Sequence, residues 1–474
     1  MNKRQTRRTM APELDQSTPQ VNDKAPAYPR ARLLWLLGTA GWAVLLTVSL
    51  LVLINQVVQT SQGATDFCTD YTSAARVLHG LQPYVPLHCT AGSSHFPPPL
   101  KEYNAHPPAS VLLLLPFELL PLKSATLLWG LLSLGAYLAS GWLLLRVLGW
   151  RLLRGLALFT FGSLLWLPFV FSNQLLNLGQ MLTLLVAAAC ILERKGRTGL
   201  AGWMIGVASL LKLWPAGLIV GALVRRQWRQ AIIGGGIAAL GTALAFLILG
   251  SSAYTAYLGP VALNERYVTP SDANVSLVAA IARPFSGIPG TLPPFIPGLT
   301  VSMAVLLGEA VAGLALLCTC WLIWWCARRT PGEAVIWLSQ ALLITMLLLA
   351  FPVNPYWGQV TLLVPGAMII LALRRLPRPP RWWWALLFVS LTEPLGLGWL
   401  LIGLPWRLVD ARVFAPAGWM TLLFGLSTVG FVLFAAAQAW LLWWASLFGV
   451  EISTGSMATR PERAEKTQGA PDVC

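Results

Sequence analysis

The chain alternates long apolar runs with short polar connections. Runs such as Leu33 to Val58 and Val301 to Ala327 carry almost no charge. Each holds the roughly 20 apolar residues that a helix needs to cross a bilayer. About eleven to thirteen hydrophobic segments follow this pattern, which predicts an all-α, polytopic membrane protein. The first run is too long for a cleavable leader, lacks a small-residue cleavage site and is followed by further runs, so it reads as a retained span. The segment 107–121 is apolar but short, and Pro116 and Pro121 interrupt it. It is expected to form a re-entrant or interfacial helix ahead of a span at 123–146, the alternative being a full crossing. Within the polar loop 59–106, Tyr71, Ala74, Ala75 and Leu78 recur at helical spacing. Gly80 offers a helix stop and Pro83-Tyr84 a turn, so a short helix along the membrane surface is expected there.

Composition agrees with that pattern. The 474 residues are 56% hydrophobic and 11% charged, with a mean hydropathy of +0.65. The formal net charge of +15 does not point to nucleic acid, because its distribution is that of an orientation signal. Basic residues gather in short connections: Arg146, Arg151 and Arg154; Arg194, Lys195 and Arg197; Arg225, Arg226 and Arg229; Arg328 and Arg329; Arg374, Arg375, Arg378 and Arg381. By the positive-inside rule these connections and both termini are cytoplasmic. The loops near 59–106, 172–180, 251–299, 351–357 and 405–416 then share the outer face. The expected organisation is a basic tail over 1–32, a membrane domain over 33–452 and a polar tail over 453–474, in the plasma membrane of a bacterial cell. Cys68 and Cys89 share the first outer loop, where an oxidising compartment permits a disulfide. Cys190, Cys318, Cys320 and Cys326 fall in apolar runs and read as packing residues.

Candidate chemistry concentrates on the outer face. Asp66 stands just past the first span, placed to take a proton from a substrate at the membrane surface; as an alternative it caps the 66–78 helix. Asp70 is the runner-up base. Lys212 lies in Leu210-Leu211-Lys212-Leu213-Trp214-Pro215, as the only Lys or Arg between Gly199 and Val224. It either snorkels to the interface or holds an anion such as a lipid phosphate. Arg266 and Arg283 are further phosphate candidates, with loop salt bridges as the alternative. Four amides cluster over 173–180, and among them Asn177 and Gln180 offer both donors and acceptors to sugar hydroxyls. Asn274 belongs to an Asn274-Val275-Ser276 sequon match. Tyr356 and Trp357 either stack on a sugar or belong to an interfacial aromatic belt.

These pieces, taken in order, resemble glycosyltransferase family 87. The resemblance is carried by Asp66-Phe67 with Tyr71 and Ala74-Ala75, by Gly80 to Tyr84, and by Pro107-Pro108. It continues through Gly179-Gln180-Met181, Ala201-Gly202 to Lys212-Leu213-Trp214-Pro215, and Asn274-Val275-Ser276-Leu277 with Arg283. Family members often carry Tyr before the paired prolines, where His106 stands here, and many carry His after the later Trp, where Gly358 follows Trp357. The resemblance implies a GT-C fold and inverting, single-displacement transfer of a hexose, mannose by analogy. The donor would be a polyprenyl-phosphate-sugar and the acceptor a cell-envelope glycolipid or glycan. Asp66 would be the general base, with Lys212, Arg266 and Arg283 on the donor phosphate. Tyr71, His106, Asn177, Gln180, Asn274 and Trp357 would contact sugar or acceptor. A lipid monophosphate leaving group requires no divalent ion, so no metal or cofactor is expected. The competing class is a lipid or lipid-linked-sugar transporter, for which the broken segments near Pro116 to Pro121 and Lys212 to Pro215 speak. The absence of repeats and the one-sided polar features speak against it.

Overall fold

The computed structural model describes residues 29–61, 66–87, 89, 103–271, 274–287, 294–330, 332–376 and 417–448. The two polar tails and the expected loop at 405–416 lie outside the described residues. The structure is about 83% helical, with no β-strand among the described residues. Among the described residues, seven helices are long and apolar enough to cross a membrane, or eight if one bent pair forms a single span; Pro108–Leu119, Thr198–Leu211 and Leu277–Ser286 are shorter apolar helices.

The chain opens with α1 (Pro29–Thr60). The surface helix is then α2 (Asp66–Leu78), stopped at Gly80, whose φ of +67° a side chain would resist. Its seating differs from the expected one. The buried side is Phe67, Asp70, Ser73 and Ala74, while Leu78 is exposed. The polar members of that face are buried because they find partners, a feature that apolar spacing does not register. Phe67 is fully buried and stacks on Trp129 at 5.4 Å between ring centroids, with Phe117 edge-on to both.

The segment after the paired prolines forms α3 (Pro108–Leu114), continued by a 3-10 turn over Leu115–Leu119. Pro108 at its first position donates no backbone bond where none is needed. At about 18 Å for twelve residues it is too short to cross. The first full span after it is α4 (Leu122–Val147). Next, α5 (Leu152–Leu165) and α6 (Leu167–Leu175) meet at a 79° bend where Pro168 begins the second helix. Then come α7 (Gly179–Arg194), α8 (Thr198–Leu211) and α9 (Ala216–Val224). Lys212 ends α8 in an extended conformation, with φ −151° and ψ 146°, and Pro215 starts the return.

The expected long loop at 251–299 is largely helical. The span α10 (Trp228–Ala256) is kinked at Gly250, with φ +76°, and continues through a wide turn over Tyr257–Val261 into α11 (Ala262–Val268). A glycine backbone permits the kink, so the chain changes direction without ending the helix. After it come α12 (Leu277–Ser286), α13 (Val301–Arg329), α14 (Glu333–Ala350), α15 (Leu363–Arg375) and α16 (Ala417–Phe448). The core gathers around α7, α8, α14, α15 and α16, where α14 buries most of its length.

One end of the bundle is tied by charge. The buried Glu193 carboxylate accepts from Arg225 at 3.0 and 3.1 Å, from Gln227 at 2.7 Å and from Gln230 at 3.0 Å. Beside it, Glu333 pairs with Arg194 and Arg375. Members of two of the basic clusters, Arg194 and Arg375, therefore meet at the start of α14.

The Cys68–Cys89 disulfide is formed, with a Cα–Cα distance of 5.5 Å and a sequence separation of 21. It holds the segment after Tyr84 against the first turn of α2. Non-reducing peptide mapping should recover the two cysteines in one linked species. On the chain-entropy estimate the bond stabilises the fold by about 3 kcal/mol, so reduction should lower the unfolding temperature.

Candidate active site

A cavity of about 720 Å³ opens at the opposite end of α14 from the charged cluster, next to Phe351. Eighteen helical residues put roughly 27 Å between the two ends. Its charged and amide side chains come from several separate structural pieces. Asp66 comes from the first turn of α2, His106 from the approach to α3, Asn177 from the turn before α7, Lys212 from the break after α8, and Glu265 with Arg266 from α11.

Asp66 is half-buried, and its neighbour Phe67 fixes where it points by filling the aromatic cluster. As the first residue of a helix, its carboxylate is favoured by the backbone N–H groups there. Lys212 is half-buried in the connection between α8 and α9, outside the spanning segments. Burial lowers its pKa, and the carboxylates of Asp66, Glu265 and Asp70 oppose that shift. The cation that hydropathy left unexplained thus has acidic neighbours on two helices.

His106 is fixed from three sides. Its backbone N–H donates to Asn104 Oδ1 at 2.9 Å and its carbonyl accepts from the Tyr84 hydroxyl at 2.7 Å. Its ring Nδ1 meets Asp70 Oδ1 at 2.7 Å. Asp70 is 2% exposed and also accepts from Asn104 Nδ2 at 3.1 Å. Tyr84 is itself buried, and burial pushes its phenol pKa upward, which keeps it a hydrogen-bond donor.

Other expected contacts lie elsewhere. Asp70 stands behind His106 rather than on the cavity wall. The Tyr71 hydroxyl donates to the Leu120 carbonyl at 2.9 Å and ties α2 to the start of α4. Gln180 is buried, within 3.5 Å of Asn173, which in turn reaches Gln56. Of the four amides only Asn177 lines the cavity, and its Oδ1 accepts from the Gly179 N–H at 2.7 Å and from Ser172 at 3.0 Å. Asn274 spends its amide on structure: Nδ2 donates to the Thr269 and Pro352 carbonyls, both at 2.7 Å, and Oδ1 accepts from the Ser276 and Asn354 N–H groups. It thereby staples the 270s to the loop at Pro352 that walls the cavity. The Trp357 side chain lies outside the described residues.

Arg283 is 1% exposed, and its guanidinium donates to the carbonyls of Pro270, Ser271 and Asn274. These groups hold the turn before α12, and Arg283 does not line the cavity. Glu265 is the residue that sequence reasoning passed over. It lines the cavity within electrostatic reach of Lys212 and His106. Its signal was an acid beside Arg266 in a supposed loop, and only the fold of α11 turns it inward. Glu309 of α13 also lines the wall.

Replacing Arg283 by Met should strand three buried carbonyls and cost about 3 kcal/mol of stability. A thermal melt in detergent would show the loss, and a selective change in substrate affinity with an unchanged melt would contradict the structural assignment.

Residues 104–352 match the profile of glycosyltransferase family 87. No curated protein matches the chain. The matched stretch begins at the residue that binds Asp70 and contains His106, Asn177, Lys212, Glu265 and Arg266; Asp66 and Asp70 precede it.

Proposed function

Because this chain belongs to glycosyltransferase family 87 and is a multi-pass membrane glycosyltransferase, we propose that it transfers a hexose, mannose by family analogy, from a polyprenyl-phosphate-sugar to a glycolipid or glycan of the cell envelope. The supporting observation is the cavity that brings Asp66, Lys212 and Arg266 together from three distant parts of the sequence.

The chemistry follows from those groups. The acceptor hydroxyl attacks the anomeric carbon and gives its proton to Asp66, while the bond from that carbon to the phosphate oxygen breaks. Displacement in one step inverts the anomeric centre. Charge grows on the departing lipid phosphate, and Lys212 and Arg266 stabilise it in a poorly hydrated site. A monophosphate leaving group held by two cations asks for no divalent ion, so transfer should persist in EDTA. Arg283 has no part in this reading, since its donors are committed to backbone carbonyls. Asn177 lines the cavity wall and is the amide assigned to a sugar hydroxyl in this reading.

The site is read as external. It lies a helix length from the basic clusters, which the positive-inside rule assigns to the cytoplasm. Cysteines introduced near Ser93 should react with an impermeant thiol reagent added outside intact cells, and one at Arg375 should not. Labelling at Arg375 alone would reverse the orientation.

The decisive assay supplies purified protein in vesicles with radiolabelled polyprenyl-phosphate-mannose and an alkyl mannoside as acceptor. Asp66→Asn keeps the shape and removes the base, so turnover should fall by about 10²–10⁴-fold with donor binding little changed. Lys212→Met should weaken donor binding and slow transfer together, because its contact strengthens as charge develops. Absence of transfer by the native protein, or full activity of both variants, would overturn the reading.

A further inference from the structure

The proposed transfer leaves a proton to account for. The donor is a phosphodiester with one negative charge. The product lipid phosphate is a monoester that carries two charges or, with one more proton, a single charge. The proton taken from the acceptor hydroxyl must leave Asp66 before a second turnover. A route for it is therefore part of the mechanism.

The structure offers a second proton carrier beside the first. Asp66 and Asp70 are four residues apart on α2, so they share a helix face with Cβ atoms roughly 5–6 Å apart. Asp70 is buried behind that face and holds the His106 ring through Nδ1 at 2.7 Å. A carboxylate only accepts, so Nδ1 carries the hydrogen. A neutral ring then has its lone pair on Nε2, and His106 lines the cavity. The tautomer is set in the same way as in a metal-bound or nucleophile-activating histidine, by a partner on the other nitrogen. Asn104 and Tyr84 pin the backbone on both sides of the ring, which is more support than a sugar contact at a loop requires. Glu265 is within electrostatic reach of both His106 and Lys212, and the imidazole shares one cavity wall with Asp66 and with the proposed phosphate ligands Lys212 and Arg266.

Resting on the reading of this cavity as the transfer site, we propose that His106 is a proton-relay residue, held in a fixed tautomer by Asp70, that clears the proton from Asp66 to the departing phosphate. In the chemical step the acceptor O–H bond breaks, the new glycosidic C–O bond forms, and the carbon–oxygen bond to phosphate breaks with its electron pair leaving on phosphate. Asp66 is then a neutral acid. Its proton passes to His106 Nε2, directly or through one water, while Nδ1–H stays on Asp70. The imidazolium gives that proton to the lipid phosphate, which leaves as a monoanion. Asp66 and His106 return to their starting states, and no outside acid or base is consumed. Asp70 acts through His106 and is a positioning residue.

The relay separates two rates that a structural role moves together. His106→Asn places an amide N–H where Nδ1–H stood, keeping the tie to Asp70, and removes Nε2. With radiolabelled polyprenyl-phosphate-mannose and the alkyl mannoside, steady-state turnover by this variant should fall about tenfold or more, and single-turnover transfer should fall by clearly less. Added imidazole should restore steady-state turnover and leave the single-turnover rate unchanged. Asp70→Asn should show the same split in weaker form. Equal losses in both rates, no loss in either, or no rescue by imidazole would overturn the relay while leaving the transfer reading intact. A native protein that transfers no mannose would overturn the transfer reading itself, and the relay with it.

Discussion

A single carboxylate with almost no exposure ties the cavity end of this protein together. Asp70 accepts hydrogen bonds from Asn104 and His106, and so joins α2 to the chain that leads into α3. Burying a charge without partners would cost several kcal/mol, so the two donors and the carboxylate require one another. That requirement fixes α2 in rotation. Asp66, one turn earlier on the same face, then has to point into the cavity, with Phe67 locked in the aromatic cluster beside it.

The two ends of the membrane bundle solve the same electrostatic problem differently. At the basic end, Glu193 is surrounded by Arg225, Gln227 and Gln230, which fill its acceptor sites with short hydrogen bonds. These bonds tie together the meeting point of α7, α9 and α10. At the other end, Asp66, Lys212, Glu265 and His106 share a cavity wall with space in front of them. Charges held near one another but open to a cavity are available to a substrate. The long apolar helices between the ends keep the two groups of charges a membrane thickness apart.

Several features that hold the cavity in shape contribute no chemistry. Asn274 joins the turn after α11 to the loop at Pro352 through four hydrogen bonds. Arg283 braces the same turn. The disulfide and the Tyr71–Leu120 bond both anchor α2 to neighbouring chain. Chemistry at a candidate site of this kind needs groups fixed to within fractions of an ångström, and these ties hold the loops around the cavity in place.

The sequence by itself determined the membrane class, the short helix after the first span, the non-spanning segment at 107–121, the disulfide and the break at Lys212. Each is local: apolar length, helical spacing, proline position, compartment chemistry and a charge among apolar neighbours are all written within a few residues. Asp66 and Lys212 stood out for the same reason. What the sequence could not decide was which polar groups face each other. Arg283, Asn274 and Gln180 carry donors suited to a sugar phosphate, and the fold commits them to backbone or internal amides instead. Glu265 looked like a loop acid until the kink at Gly250 and the turn after it carried α11 over the cavity. The pairing of Asp70 with His106 spans 36 residues, and Asn104 closes it. Partners so far apart in the chain meet only when tertiary packing fixes their distance, because a side chain's chemistry is local while its hydrogen-bond partner is chosen by the whole fold.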